Sequence, residues 1–182
     1  MLRINTGQFK GKHLKLPPES ITRPSSDRLR QAIFNILVNT LCFKGLHVLD
    51  GFAGSGALGL EALSRGAAEV VFCESNPLVQ KILKENILNT VKAGHAHVTI
   101  TNDFFQLKAV HPFDLVFLDP PYDKGLEIQA LEYLLCNKLI SSNGVIILEQ
   151  RKGAAAVVCA DFTTQEPRVY GKCQITFLQL TS

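Results

Sequence analysis

Two short stretches carry side chains able to do chemistry. Asp119-Pro120-Pro121-Tyr122 follows the apolar run at 113–118, and Asp50-Gly51-Phe52-Ala53-Gly54-Ser55-Gly56 follows the apolar residues at 46–49. A glycine loop behind one strand and an acidic-Pro-Pro-aromatic turn behind a later one point to a nucleotide-like cofactor beside a planar, amine-bearing substrate. The reaction expected from this pairing is methyl transfer from S-adenosylmethionine to a nitrogen of a nucleic-acid base.

An exocyclic amine is a poor nucleophile because its lone pair is delocalised into the ring. A site helps by accepting both N–H bonds, which orients the amine and favours the charge that develops as nitrogen attacks. The Asp119 carboxylate and the Pro120 carbonyl are the two expected acceptors. Pro121 stiffens the turn, and Tyr122 offers a ring on which the base can stack. An ordinary strand-ending turn with a packed tyrosine is the structural alternative.

The glycine loop excludes one nucleotide class and suits another. Gly54 and Gly56 let the backbone approach a ligand closely, and their place between a first strand and a helix adds weight. No lysine follows to hold phosphates, and Asp50 would repel them. A cationic amino-acid portion without phosphate fits better. Phe52, Ala53 and Ser55 complete the expected cofactor loop. Glu74 ends the second strand, where a carboxylate can accept ribose hydroxyls, with Ser75 beside it. After the third strand, Asp103 is placed to accept from an adenine amine and Phe104 to pack on its ring, an Asx turn or helix cap being the alternative for Asp103.

These groups need a scaffold that brings strand ends together. Strands are expected at 46–50, 69–74, 97–101, 114–119 and 144–149, and helices near 27–40, 56–64, 76–92 and 126–138. Apolar residues fill both alternate sets in 114–118 and 145–148, as buried parallel strands require. The alternation implies βαβ crossovers. Residues 167–180 read as a final antiparallel hairpin, and residues 2–16 as a small hairpin with Pro17-Pro18 behind it. The expected fold is α/β, a Rossmann-like methyltransferase sheet, mostly parallel with an antiparallel C-terminal edge. Residues 1–44 form a basic hairpin-and-helix extension, and 45–182 the S-adenosylmethionine-binding domain.

At 182 residues the chain can bury a sizeable core without metals or disulfides. Its five cysteines form no close pair, so neither a zinc site nor a disulfide framework is expected. The absence of a long apolar run and of a signal-peptide pattern suggests a cytoplasmic protein with no membrane partner. Charge is uneven. Residues 1–44 hold eight Lys/Arg against two acids, while the whole chain is only +3. A basic segment on a mildly acidic body suits docking to a polyanion. The five histidines form no spaced ligand set.

Taken together, these motifs resemble the bacterial 16S rRNA guanine-N2 methyltransferase family, the RsmD family. The likeness runs from Arg3-Ile4 and Gly7 through 23–30 (Arg23-Pro24-Ser25-Ser26-Asp27-Arg28-Leu29-Arg30), Phe34-Asn35, the loop and helix at 50–67, the Asp119 motif and the strand ending at Glu149. The resemblance implies methylation of the N2 amine of one guanine in 16S rRNA, within an assembled or assembling small ribosomal subunit. It implies Asp119 and Tyr122 at the base, and Asp50, Glu74 and Asp103 near the cofactor. Arg23, Arg28 and Arg30 become candidates for phosphate contacts, and Lys10, Lys12 and Lys15 a further set. One of the arginines could instead pair with Asp27 or shape the cofactor lid. Gln31, Ser26 and Gly51 depart from the family pattern, which favours glutamate, threonine and a larger residue there. A monomer is expected.

Other readings share parts of this pattern. The tetrapeptide suits an adenine-N6 methyltransferase equally well, although the chain has little room for a DNA-recognition domain. The basic segment argues against a small-molecule or protein-glutamine methyltransferase. A non-catalytic RNA-binding assembly factor would have no need of the full constellation. An NAD-linked enzyme would need a hydride-transfer site that the sequence does not offer.

Overall fold

Five runs rich in Val, Ile, Leu and Phe form parallel strands, and the intervening polar-apolar patterns form helices that cover them. The computed structural model describes residues 2–18, 27–91, 97–122 and 124–181. In chain order the elements are α1 Asp27–Leu37, β1 His47–Asp50, α2 Ala57–Ser64, β2 Glu69–Cys73, α3 Pro77–Thr90, β3 His97–Thr101, β4 Phe113–Leu118, α4 Leu126–Cys136, β5 Ile140–Arg151, β6 Phe162–Thr164, β7 Arg168–Tyr170 and β8 Cys173–Leu180. The strand order is β3-β2-β1-β4-β5-β8-β6, with β7 also paired to β8. The first five strands pair in parallel, and β8 runs antiparallel to β5. This is the Rossmann-like methyltransferase arrangement. Its order reverses between β1 and β4, and crevices outside the carboxyl ends of strands open at such switch points.

Side chains alternate between two cores, as the strand period of two requires. Val48, Leu115, Phe117 and Ile147 face one side, where they meet α2 through Leu60 and Leu63. Leu49, Val116, Leu118 and Ile146 face the other, against Leu131 and Leu134 of α4. Helix α2 lies unusually close to the sheet. A Cβ on Gly59 would stand 2.4 Å from the Phe72 ring, so only glycine fits.

The N-terminal segment shares the first core. Leu2, Ile4, Phe9 and Leu14 join Leu29, Ile33, Phe34 and Leu37 of α1 in it. The expected hairpin is reduced to one bridge, Arg3 to His13, flanked by bonds such as Leu14 N–H to Leu2 O (2.9 Å). Its polar anchor is Glu61 of α2, which is fully buried. Glu61 accepts from the N–H groups of Asn5 (2.7 Å) and Thr6 (3.1 Å), and from Arg65 Nε (3.0 Å).

Three features differ from the sequence expectations. β5 begins at Ile140, with a register shift where Phe113 pairs with Ile140 but Leu115 with Val145. β6 is an additional strand against β8. A short 3-10 turn follows β3 at Phe104–Gln106. Short edge segments carry little pattern of their own and take their structure from β8 or the cavity wall. Among the described residues, no helix is long and apolar enough to cross a membrane.

Candidate active site

A cleft of about 1340 Å³ opens at the carboxyl ends of β1, β2 and β4. Both sequence motifs line it. Asp50 through Ser55 form one wall, Glu74, Ser75, Asp103 and Phe104 another, and Asp119 through Tyr122 a third. Gly56 caps α2 just behind the loop.

The carboxylates build the loop as well as line it. Asp50 is 3% exposed, and its Oδ2 accepts from Gly59 N–H (2.9 Å), serving the start of α2 in place of a side-chain cap. Burial pushes its carboxyl up to about 7; the Gly59 bond opposes the rise and the charge of Glu74 adds to it. Glu74 uses both oxygens on backbone, accepting from Gly54 N–H (3.0 Å) and Asn76 N–H (2.8 Å). Acceptor positions remain, since an ionised carboxylate has about four.

Asp103 adopts the capping geometry that the sequence left open as an alternative. Its Oδ1 accepts from Phe105 N–H (2.9 Å) and its Oδ2 from Gln106 Nε2 (3.0 Å). Phe104 is buried and stacks on Phe52, with centroids 5.3 Å apart and planes at 12°. Gly51 makes that stack possible. A Cβ there would lie 2.8 Å from the Phe104 ring, which explains the departure from a larger residue.

At the third wall, Tyr122 is partly buried and its hydroxyl donates to Glu149 Oε1 (3.0 Å). Burial, with Glu149, Asp119 and Cys173 beside it, holds the phenol well above its ordinary pKa, so it stays a donor. The Arg151 guanidinium stands 5.9 Å from the ring centroid. Pro120 is buried and Pro121 exposed at the turn.

The candidate RNA residues fall in different places. Arg28 is exposed and reaches the cleft wall. Arg23 lies outside the described residues. Lys10 and Lys12 are exposed beside Gln8 and Phe9, which bond to Ser64 at the far end of α2, about 12 Å from its start at the cleft. Lys15 pairs with Glu85 at 2.6 Å. Arg30 is 1% exposed, so although it contributes to the cleft wall it is held by the protein rather than presented to phosphate. Its Nη2 donates to Arg3 O and to Asp27 Oδ1 (2.6 Å), and its Nη1 lies 3.7 Å from Glu61.

Two residues passed over in the sequence carry weight here. Glu149 is 5% exposed and lines the cleft beside Asp119 and Tyr122. Asn86 of α3 is buried. Its amide donates to Ser55 O and Lys15 O (2.9 Å each) while its Oδ1 accepts from Lys15 N–H (2.8 Å), tying the glycine loop to the N-terminal segment. Its spacing of three from Leu83 and seven from Val79 puts an amide on an apolar stripe, which was a readable signal.

Known proteins share this architecture along nearly the whole chain. The family described as conserved hypothetical protein 95 matches residues 2–179. Ribosomal RNA small subunit methyltransferase D of Escherichia coli K12 is 36% identical over 177 residues, covering 94% of this chain and 86% of its own. The chain belongs to the RsmD family of methyltransferases. The RsmD protein of Haemophilus influenzae is 35% identical, covering 93% of this chain and 89% of its own. Among solved structures, the Escherichia coli protein yhhF superposes with a TM-score of 0.82 at 34% identity, covering 98% of this chain and 97% of its own. RsmD membership carries with it the S-adenosylmethionine-dependent, RNA-directed methyltransferase class.

Proposed function

We propose that this chain methylates the exocyclic N2 amine of a guanine in 16S rRNA, presented by the small ribosomal subunit. The observation that carries the reading is the meeting of two walls in one cleft. The Asp119-Pro120-Pro121-Tyr122 turn leaves β4, and the glycine loop leaves β1, its immediate neighbour in the sheet. The relatives' names supply the rRNA and the small subunit.

The donor set fits S-adenosylmethionine. Asp50, Glu74 and Asp103 present carboxylates suited to an ammonium, ribose hydroxyls and an adenine amine, and the loop between Phe52 and Gly56 has no lysine for phosphate. The cofactor, when bound, supplies an electrophilic methyl group. Phe104 and Phe52 offer an apolar wall for its ring, and Ser55 and Ser75 polar contacts. Asp119 and the Pro120 carbonyl orient the target amine by accepting its N–H bonds, and Tyr122 flanks the base. The amine loses its proton after the new bond forms, so no group of unusual basicity is needed. Arg28 at the cleft and the exposed Lys10 and Lys12 supply positive charge for the RNA backbone; Lys15 adds to it despite its pair with Glu85. The chain acts as a cytoplasmic monomer, with residues 1–44 as the RNA-docking extension of the methyltransferase domain.

The test is transfer from tritiated S-adenosylmethionine to small subunits lacking the modification, to free 16S rRNA and to duplex DNA, with the labelled nucleoside identified by mass. N2-methylguanosine from the subunits is expected. N6-methyladenine would move the activity to the adenine class.

Asp50 makes cofactor binding depend on pH. Cation binding favours its ionised form, so affinity should weaken up to about tenfold per pH unit below about 7 and level off above it. Stability runs the other way. The raised carboxyl means the fold keeps a proton that the unfolded chain releases, so stability falls as pH climbs from 3.8 towards about 7. Asp50→Asn should therefore raise Tm at pH 8, gain nothing near pH 4, and flatten the pH profile of cofactor affinity. Calorimetry across pH checks both; an unaltered profile in the variant would remove Asp50 from the cofactor site.

A further inference from the structure

We propose that Glu149 reads the target base as guanine by accepting a hydrogen bond from its N1–H while the neighbouring amine is held at Asp119. The proposal rests on the guanine-N2 reading above and goes on to say what enforces it.

The sheet sets the two carboxylates side by side. Leu118 of β4 pairs with Leu148 of β5, so Asp119 and Glu149 follow at the same level of adjacent parallel strands. Both line the cleft. Orienting the amine needs only Asp119 and the Pro120 carbonyl, which leaves a second, 5% exposed carboxylate without a part in that step. A buried carboxylate is costly, so a packing role alone is better served by an uncharged side chain. Tyr122 donates to Glu149 Oε1 at 3.0 Å and fixes the carboxylate at the wall where the base is expected. The Cys173 thiol also stands at hydrogen-bond distance of Glu149, and an ionised carboxylate has about four acceptor positions to share among its partners.

The chemistry of the bases then discriminates. Guanine presents a donor, N1–H, next to its N2 amine. Adenine presents an acceptor, N1, next to its N6 amine. An ionised carboxylate is acceptor-only. It completes a hydrogen bond with guanine and faces a lone pair in adenine. The tetrapeptide alone cannot tell the two amines apart; Asp119 and Glu149 together can. Sites that lose a hydrogen bond to a charged group discriminate by roughly 10- to 100-fold.

The test uses 2-aminopurine, which keeps the 2-amine but carries an acceptor at N1. Small subunits are reconstituted with 16S rRNA holding guanine or 2-aminopurine at the methylated position, and single-turnover rates are compared for the wild-type protein and Glu149→Gln. The wild type should favour guanine by about 10-fold or more. In Glu149→Gln the guanine rate should fall and the ratio narrow, because the amide can turn its NH2 towards an N1 acceptor. Any effect of the missing O6 is common to both proteins and leaves the change in ratio intact. A purely structural role for Glu149 would lower both rates together at constant ratio, and that outcome overturns the proposal. Equal wild-type rates on the two bases overturn it without any variant. Failure to form N2-methylguanosine on the guanine subunit would overturn the guanine-N2 reading itself, a separate and earlier result.

Discussion

Replacing Asp119 by alanine is expected to lower the single-turnover rate of methyl transfer by about 10²- to 10³-fold, the usual cost of losing one preorganised polar partner in a transition state. Cofactor affinity should stay within about twofold. The separation follows from where the groups stand. The expected cofactor contacts come from the ends of β1, β2 and β3, whereas Asp119 follows β4 at the wall shared with Tyr122 and Glu149. Asp119→Asn keeps an acceptor oxygen but loses the charge that balances developing positive charge on nitrogen. Its rate should fall between those of the alanine variant and the wild type. Titration with S-adenosylhomocysteine and rapid-quench kinetics separate the two quantities. If Asp119→Ala loses cofactor affinity as strongly as rate, the aspartate belongs to the cofactor wall and the assignment of the base site is wrong.

The parts of this molecule that were legible in the sequence are those where type and spacing determine position. Continuous apolar runs specified β1, β4 and β5, and the motifs at their ends fell into one cleft because parallel strands put all their carboxyl ends on one side. What escaped was direction and partnership. Arg30 was read as a phosphate contact from its charge, yet it stands three and four residues before Ile33 and Phe34, on the apolar stripe of α1. Its burial was in the periodicity and its pair with Asp27 was among the alternatives; its second acidic neighbour, Glu61, 31 residues away on α2, was not legible. Glu74 was read as a ligand contact alone, and the structure adds that it holds its own backbone; the capping role of Asp103 had stood as an alternative. β6 escaped because three residues at a sheet edge take their conformation from β8 rather than from their own pattern. Glu149 was noted only as the end of a strand. Its meaning depends on the register that sets it beside Asp119, and register between strands about 30 residues apart has no local signature.

The same long-range dependence makes Glu61→Ala a strongly destabilising substitution. Glu61 lies within α2, yet it accepts from two backbone N–H groups of the N-terminal segment and pairs with both Arg30 and Arg65. Arg65 in turn lies over the Phe34 ring of α1, 4.6 Å from its centroid. Removing the carboxylate leaves the part-buried Arg65 without its counter-ion, leaves the buried Arg30 with Asp27 alone, and leaves two N–H groups without an acceptor. Breaking such a buried pair costs about 3–5 kcal/mol, against a total stability of roughly 5–15 kcal/mol. At about 2–4 °C per kcal/mol, the expected fall in Tm is on the order of 10 °C. Glu61→Gln, which keeps the acceptor but not the charge, should lose less. The damage should also spread to function, because Leu2, Pro17, Arg28 and Arg30 form part of the cleft wall. Proteolysis should therefore cut first within the N-terminal segment, and transfer to RNA should fall more than binding of S-adenosylhomocysteine. A Tm within about 2 °C of the wild type would mean that the apolar contacts of Ile4, Phe9 and Phe34 hold the extension in place without the buried charges.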